Sequence, residues 1–371
     1  MGCSFYSSGK WLASFFFLTM AFALTAQKYS NEFLSIGIGA KAQALGNAVV
    51  ASVDDVTAGY WNPAGLANLG DDKGLQIGAM HAEWFAGVGK YDYLGITLPF
   101  SSSDRRLGLS LIRFGIDDIP NTLSLFEDDG TVNYDNIVEF SAADYAFITS
   151  YAQRMKTKEG RTLNVGASAK IVRRVIGSFA NSWGFGVDLG AQYTVGKLRL
   201  GAMARDITTT FNAWHVTFTE KEKDVLLATG NELPDINSLE ITKPQLLLGA
   251  AYSFSVKKFE FRPELNFIAT TDGKRNTLLT GDPVSIDMGF GVEADYNNFL
   301  FLRAGISQFQ KERDFDGRQY FISRPALGIG LQLYSLRVDY AYSNLGDSQN
   351  RFSHIVSLQL DIKPKKTGDG Q

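Results

Sequence analysis

From Leu75 onward the chain alternates apolar and polar residues with a period of two. Leu75, Ile77 and Ala79 alternate with Gln76, Gly78 and Met80. Leu198, Leu200, Ala202 and Ala204 alternate with Arg199, Gly201, Met203 and Arg205. Leu336, Val338, Tyr340 and Tyr342 alternate with Arg337, Asp339, Ala341 and Ser343. His354, Val356, Leu358, Leu360 and Ile362 alternate with Ile355, Ser357, Gln359 and Asp361. Successive side chains of a strand point to opposite faces, so each run predicts a half-buried strand with one apolar face. Residues 28–70 differ, being rich in Ala and Gly with little alternation. Residues 40–45 predict a short helix ended by Gly46, and a second short helix is expected over 53–59. Regularity breaks at 62–66, because Pro63 has no backbone N–H to donate.

The connections order these strands. Short turns fall near 101–105, 157–160, 195–197, 256–258, 296–298 and 334–335. Long connections fall near 83–89, 116–140, 176–181, 207–240, 270–283, 309–318 and 344–351. Long and short alternate strictly. That order predicts an all-β, antiparallel up-and-down barrel of about fourteen strands, with tight turns on one rim and large loops on the other. Alternation alone also fits a soluble sandwich. A weak repeat supports the meander: Gly184 and Gly186, Gly289 and Gly291, and Gly328 and Gly330 each precede a turn and then a Leu-Arg pair. Alternate glycines leave one face of a strand bare, so another part of the chain can approach the wall closely. None of them opens a helix after a strand, which excludes a dinucleotide-binding fingerprint.

Composition narrows the setting. Among 371 residues there are 37 Gly, 9 Pro and 13% aromatics. A mean hydropathy of −0.07 excludes a bundle of transmembrane helices. A net charge of −3 gives no electrostatic case for nucleic acid. Lys10, the apolar run 11–24 and Ala26 predict a secretory signal peptide over residues 1–26. The single cysteine, Cys3, lies inside it, so no disulfide is expected in the exported chain. With no other long apolar run, membrane insertion must use strands. The expected organisation is a distinct N-terminal segment at 27–70, a barrel at 71–363 and a polar tail at 364–371. Tyr91, Tyr93, Phe100, Tyr145, Tyr151, Tyr193, Tyr252, Phe254, Phe299, Phe301, Tyr334, Tyr340 and Tyr342 lie near strand ends, where interfacial girdles are expected.

No catalytic constellation is present, and no metal or cofactor is expected. His81, His215 and His354 are far apart, and no HExxH, GxSxG, P-loop or cysteine cluster occurs. Asp54 and Asp55 read as an acid pair or a cation site, or as a turn pair accepting backbone N–H bonds. Charges facing lipid would cost about 2–4 kcal/mol at the midplane. Lys170, Arg199, Arg205, Arg303, Arg337 and Asp339 are therefore assigned to the lumen, with Glu264, Asp287 and Glu293. Their roles are mutual pairing or a solute path. The loop at 116–140 is acidic, with Asp117, Asp118, Glu127, Asp128, Asp129 and Asp135. The loop at 207–240 holds Phe211, Trp214 and Phe218. Long loops in a compact fold usually carry function, so these aromatics, with Asp128 and Asp129, are candidate partner-binding residues.

The stretch from Asn31 to Asp55, followed by Trp61, Asn62, Pro63, Ala64, Gly65 and Leu66, resembles the PorV/PorQ family of outer-membrane proteins, within the wider FadL-like barrels. The specific motif covers residues 31–69. The resemblance implies a fourteen-stranded barrel whose N-terminal segment, including Asp54, Asp55 and 61–66, folds into the lumen as a plug. In the PorV branch it implies an accessory of type IX secretion in Bacteroidetes-like bacteria, binding cargo or the translocon. In the FadL branch it implies transport of long-chain fatty acids or other hydrophobic molecules. Gly65-Leu66 is the generic hatch ending, not one particular to PorV.

Overall fold

The computed structural model describes residues 30–69, 74–85, 87–100, 102–127, 129–155, 160–313, 316–344 and 352–362. The signal-peptide and tail assignments and Asp128 lie outside these. Seventeen strand segments form one antiparallel sheet. They are β1 (Leu75–Trp84), β2 (Gly89–Phe100), β3 (Ser102–Asn121), β4 (Val138–Met155), β5 (Arg161–Ile176) and β6 (Ala180–Val195). Next come β7 (Leu198–Arg205), β8 (Thr210–Val216), β9 (Asn237–Thr242), β10 (Gln245–Tyr252) and β11 (Phe254–Val256). The last are β12 (Phe259–Thr270), β13 (Ser285–Tyr296), β14 (Leu300–Arg313), β15 (Gln319–Leu333), β16 (Leu336–Asn344) and β17 (Phe352–Ile362).

Some segments share a stave. β7 and β8 both pair along β6, and β10 and β11 both pair along β12. β9 pairs with β8 while β10 pairs with β7. The segments thus make fourteen staves, and β1 pairs with both β2 and β17, closing the barrel. Closure leaves no sheet edge around the main wall, as a strand wall in lipid requires. Beyond it, toward the long-loop rim, β9 pairs with β8 alone.

The alternation places side chains as the period of two dictates. Leu94, Leu109, Phe147, Ile171, Leu200, Leu248, Leu302, Val356 and Leu358 are exposed on the outer face. Gln76, Met203, Asp339, Ile355 and Ser353 are buried on the inner face. Near the short-turn rim an outer row of rings, Tyr252, Phe254, Phe261, Phe259 and Tyr296, stacks with successive centroids 5.0–6.5 Å apart. Toward the other rim, outward-facing His81, Asp92 and Arg113 stand in register across β1–β3. They are joined at 2.7 and 3.4 Å, beyond the apolar Ala79, Leu94 and Leu111.

Several expectations need correction. The short turns at 195–197, 256–258, 296–298 and 334–335 fall where expected; 102–105 already belongs to β3, 157–159 lie outside the described residues, and the connection at 176–181 is a turn of three residues, 177–179. β3 runs on to Asn121 and β4 starts at Val138, so much of the loop at 116–140 is wall. The loop at 207–240 holds β8, the start of β9 and a helix at Glu220–Ala228, capped by Thr219 and Glu222. Tyr91, Tyr93 and Phe301 are buried on the inner face and belong to no girdle. Alternation shows that two faces exist; which one meets lipid is set by the register.

The break between β7 and β8 has its own anchor. Asp206 and Thr209 adopt positive φ, 55° and 61°. Lys170 Nζ lies 2.8 Å from Asp188 and 2.5 Å from Asp206, all nearly inaccessible to solvent. The Asp206 N–H donates to Asp188 at 2.7 Å, and the Thr210 hydroxyl donates to Asp206. Lys170→Met removes one partner from two buried carboxylates, at a cost of about 3–5 kcal/mol. Urea unfolding in lipid vesicles should show that loss. The triple variant Lys170→Met, Asp188→Asn, Asp206→Asn should recover most of it.

Candidate functional site

Residues 30–69 lie inside the barrel as a plug. Short helical pieces at Ala40–Ala44 and Ala58–Trp61 and a 3-10 helix at Pro63–Asn68 build it. The second helix therefore lies later than the expected 53–59. The break expected at Pro63 is instead the first position of the 3-10 helix, where a missing N–H costs nothing.

Aromatic and amide groups hold the plug to itself. The Trp61 indole donates to the Ile38 carbonyl at 2.9 Å, and the Tyr60 hydroxyl donates to the Leu34 carbonyl. The two rings meet edge to face at 4.8 Å. Asn62 is wholly buried. Its Oδ1 accepts the Ala64 N–H at 3.2 Å, and its Nδ2 donates to Val50 at 2.9 Å and to the wall carbonyl of Ala191 at 3.1 Å. Ala64 is buried, and a side chain on Gly65 would overlap the Val53 carbonyl. Fully burying Leu66, which packs beside Gly108, contributes about 2–3 kcal/mol.

Wall glycines make the seat. Side chains at Gly291 and Gly305 would overlap the backbone of Leu45 or Gly46, and one at Gly328 would overlap Ala44. Gly201 faces Val50 and Ala51; Gly166 and Gly190 face Asn62, Pro63 and Ala64. On β1–β5 and β17, Met80, Tyr91, Tyr93, Ile112, Ile148, Val172 and Ile355 form one apolar core with the plug. Buried polar groups stand there too, among them Gln76, Arg106, Ser110, Ser150, Asn164 and Lys170, but the ion pairs that reach the plug lie on the other side.

That side is ionic. Lys41 of the plug pairs with Asp54 at 3.2 Å and Asp55 at 3.4 Å, and Asp54 reaches Arg199 of the wall at 3.4 Å. Asp55 also accepts the Thr57 N–H at 2.9 Å, so this acid pair serves both a turn and an ion pair. Among the described residues no group of acids, histidines or cysteines could hold a metal ion. Arg303 joins Glu293 at 2.7 Å to Asp339 at 2.8 Å, and Arg337 reaches Asp339 at 3.0 Å. Glu264 accepts the Ala51 N–H at 2.7 Å. Arg205 stacks on the Tyr60 ring at 4.7 Å and donates to its carbonyl at 3.2 Å. Lys170, Arg199, Arg205, Arg303, Arg337 and Asp339 all stand on the inner face, but Lys170 serves the wall alone. Sequence reasoning missed Asn212, Glu240 and Thr242, which bind the start of the plug at Ser30 and Asn31. Polar inward positions of β8 and β9 were the available signal, hidden by the loop assignment.

The loop candidates do not form one patch. Phe211 lies on the outer face of β8, while Trp214 turns inward with the Arg174 guanidinium 5.0 Å from its ring. Phe218 packs against Phe179 at 5.7 Å. Asp129 sits in an exposed turn, accepting from Thr131. There Asn133 and Asn136 donate to Glu127 and hold its carboxyl below the usual range.

Between the plug and the long-loop rim lies a cavity of ≈ 770 Å³. Its lining includes Phe33, Tyr60, Trp61, Trp84, Phe85 and Phe114, together with Arg205, Arg275, Arg324, Gln245 and Asn266.

No protein-family model matches the chain, and no curated protein sequence does. Solved structures do. The CymD monoaromatic hydrocarbon channel matches with a TM-score of 0.55 at 13% identity, covering 91% of this chain and 100% of that one. The Pseudomonas putida toluene transporter TodX matches with a TM-score of 0.53 at 14% identity, covering 91% and 100%. A Pseudomonas aeruginosa FadL homologue matches with a TM-score of 0.51 at 12% identity, covering 86% and 97%. The chain has the fold of these barrels.

The seat predicts a phenotype. In Gly305→Val the new side chain meets the Gly46–Leu45 backbone, so the plug should leave its place. Lys41, which is 11% exposed in the seated plug, should then become a trypsin cleavage site while the barrel stays folded. Unchanged protection of Lys41 would show that the glycine seat is dispensable.

Proposed function

We propose that the chain is a non-enzymatic outer-membrane barrel that carries hydrophobic or amphipathic small molecules across the outer membrane, long-chain fatty acids among the candidates. The observation that carries this reading is the ≈ 770 Å³ cavity above the plug, part of whose lining is aromatic. Cavities of this size are the usual form of small-molecule sites, and this one adds polar groups to its aromatic residues. At plug level the lumen is filled and partly ionic, as in a closed state; above it the lumen is open. The fold shared with barrels described as toluene transporters and hydrocarbon channels supports the same reading.

A second reading, an accessory of type IX secretion of the PorV/PorQ type, has support in the motif at 31–69 and in the rim. There Leu227, Ile236 and Leu239 are more than half exposed, as a surface for cargo or translocon would be. Co-purification from native membranes tests it; a barrel recovered with no secretion component counts against it.

For transport, cells that lack their own uptake route and express this chain should take up labelled palmitate or toluene several-fold faster than cells carrying an empty vector. Ile36→Arg, which puts a charge on the plug surface lining the cavity, should bring uptake down by about tenfold or more, the loss of roughly 1.4 kcal/mol of binding. Uptake equal to the empty vector, for both probes, overturns the transport reading.

A further inference from the structure

The charges around the cavity are not alike. Arg174 is neutralised by Asp144 at 2.8 Å and Glu240 at 3.3 Å. Arg275 is held by Asp272, with Nε 2.7 Å from the carboxylate, and by Glu32 at 3.1 Å. Arg205 is stacked on Tyr60 and donates to its carbonyl. Arg324 of β15 lines the same cavity, half-buried, with no ion pair or hydrogen bond among the described residues. The acid acting on it electrostatically is Asp287, whose Oδ1 already accepts the N–H groups of Met288 at 2.8 Å and Phe309 at 3.3 Å.

We propose that this cavity selects an aromatic carboxylate, held by its acid group on Arg324 with its ring against the aromatic lining. The proposal rests on the transport reading and names its ligand class. A guanidinium presents a planar fork of donors that a carboxylate matches with two parallel bonds. A neutral hydrocarbon entering the cavity would strip water from Arg324 and return no hydrogen bond, a net cost. An aliphatic acid would satisfy the guanidinium but forgo the edge-to-face contacts that Phe114, Phe85 and Trp84 offer a ring. The ligand class that uses both kinds of lining carries a ring and an anion together.

Three probes of similar size separate the contributions: 4-phenylbutyrate, 4-phenylbutanol and octanoate. Each is titrated against the full chain in phosphatidylcholine nanodiscs, with the fluorescence of the buried Trp61 and Trp84 as readout and empty discs subtracted. Phenylbutyrate should bind about tenfold tighter than either of the others. Arg324→Gln should bring phenylbutyrate to within about twofold of phenylbutanol, while Arg324→Lys, which keeps the charge but loses the fork, should fall between. Phenylbutanol or octanoate binding the native chain as tightly as phenylbutyrate overturns the selection and leaves transport standing. So does Arg324→Gln with undiminished preference. Binding of none of the three removes the transport reading and this proposal with it.

Discussion

Every backbone N–H and C=O of a wall in lipid must find a partner within the wall. The pairing of β1 with β17 meets that demand by joining the two ends of the sheet. The rest of the structure follows from it. A closed ring of this many strands is too wide for its own side chains to fill. Something must occupy the middle, or the ring would stay an open pore.

The N-terminal segment is that filling, and it is made to be thin. Where it touches the wall, glycines stand on one side or on both: Gly46 against Gly305, Leu45 against Gly291, Pro63 against Gly166. Backbone lies against backbone because no Cβ intervenes. Around the ring the contact changes character. On the β1–β5 side it is an apolar core, and on the β13–β16 side it is a network of buried charges in which each of Glu293, Arg303 and Asp339 has an opposite partner. Because the plug fills the barrel only at this level, the space above remains as the aromatic-lined cavity, open toward the long loops. The same packing that seals the wall thus shapes the place where a small molecule can rest.

The barrel was legible because its signals are local. A period of two and a turn of two or three residues are decided by neighbours in the chain, so Gly196-Lys197 and Tyr334-Ser335 could be read directly. The N-terminal segment stands apart by its Ala and Gly content, but its folding into the lumen was implied only by the resemblance carried by residues 31–69. The rim was not legible. The far ends of β3 and β4, and the whole of β8, do not alternate cleanly in sequence, so they look like loops. Tyr91 and Tyr93 carry the chemistry of a girdle, yet they face inward to donate to the plug carbonyls of Phe33 and Val56.

By itself the sequence determined that this chain makes an antiparallel barrel with tight turns on one rim, and that its small-residue N-terminal segment stands apart. Both follow from the steric period of a strand and from the size of side chains, which are properties of each stretch alone. Only the tertiary structure decided where in the lumen the apolar core and the ion pairs lie, that Trp214 points in and Phe211 out, and that Arg324 meets the cavity with no ion pair among the described residues. Those facts depend on register and closure, which bring together groups that lie hundreds of residues apart and leave no mark on their neighbours in the chain.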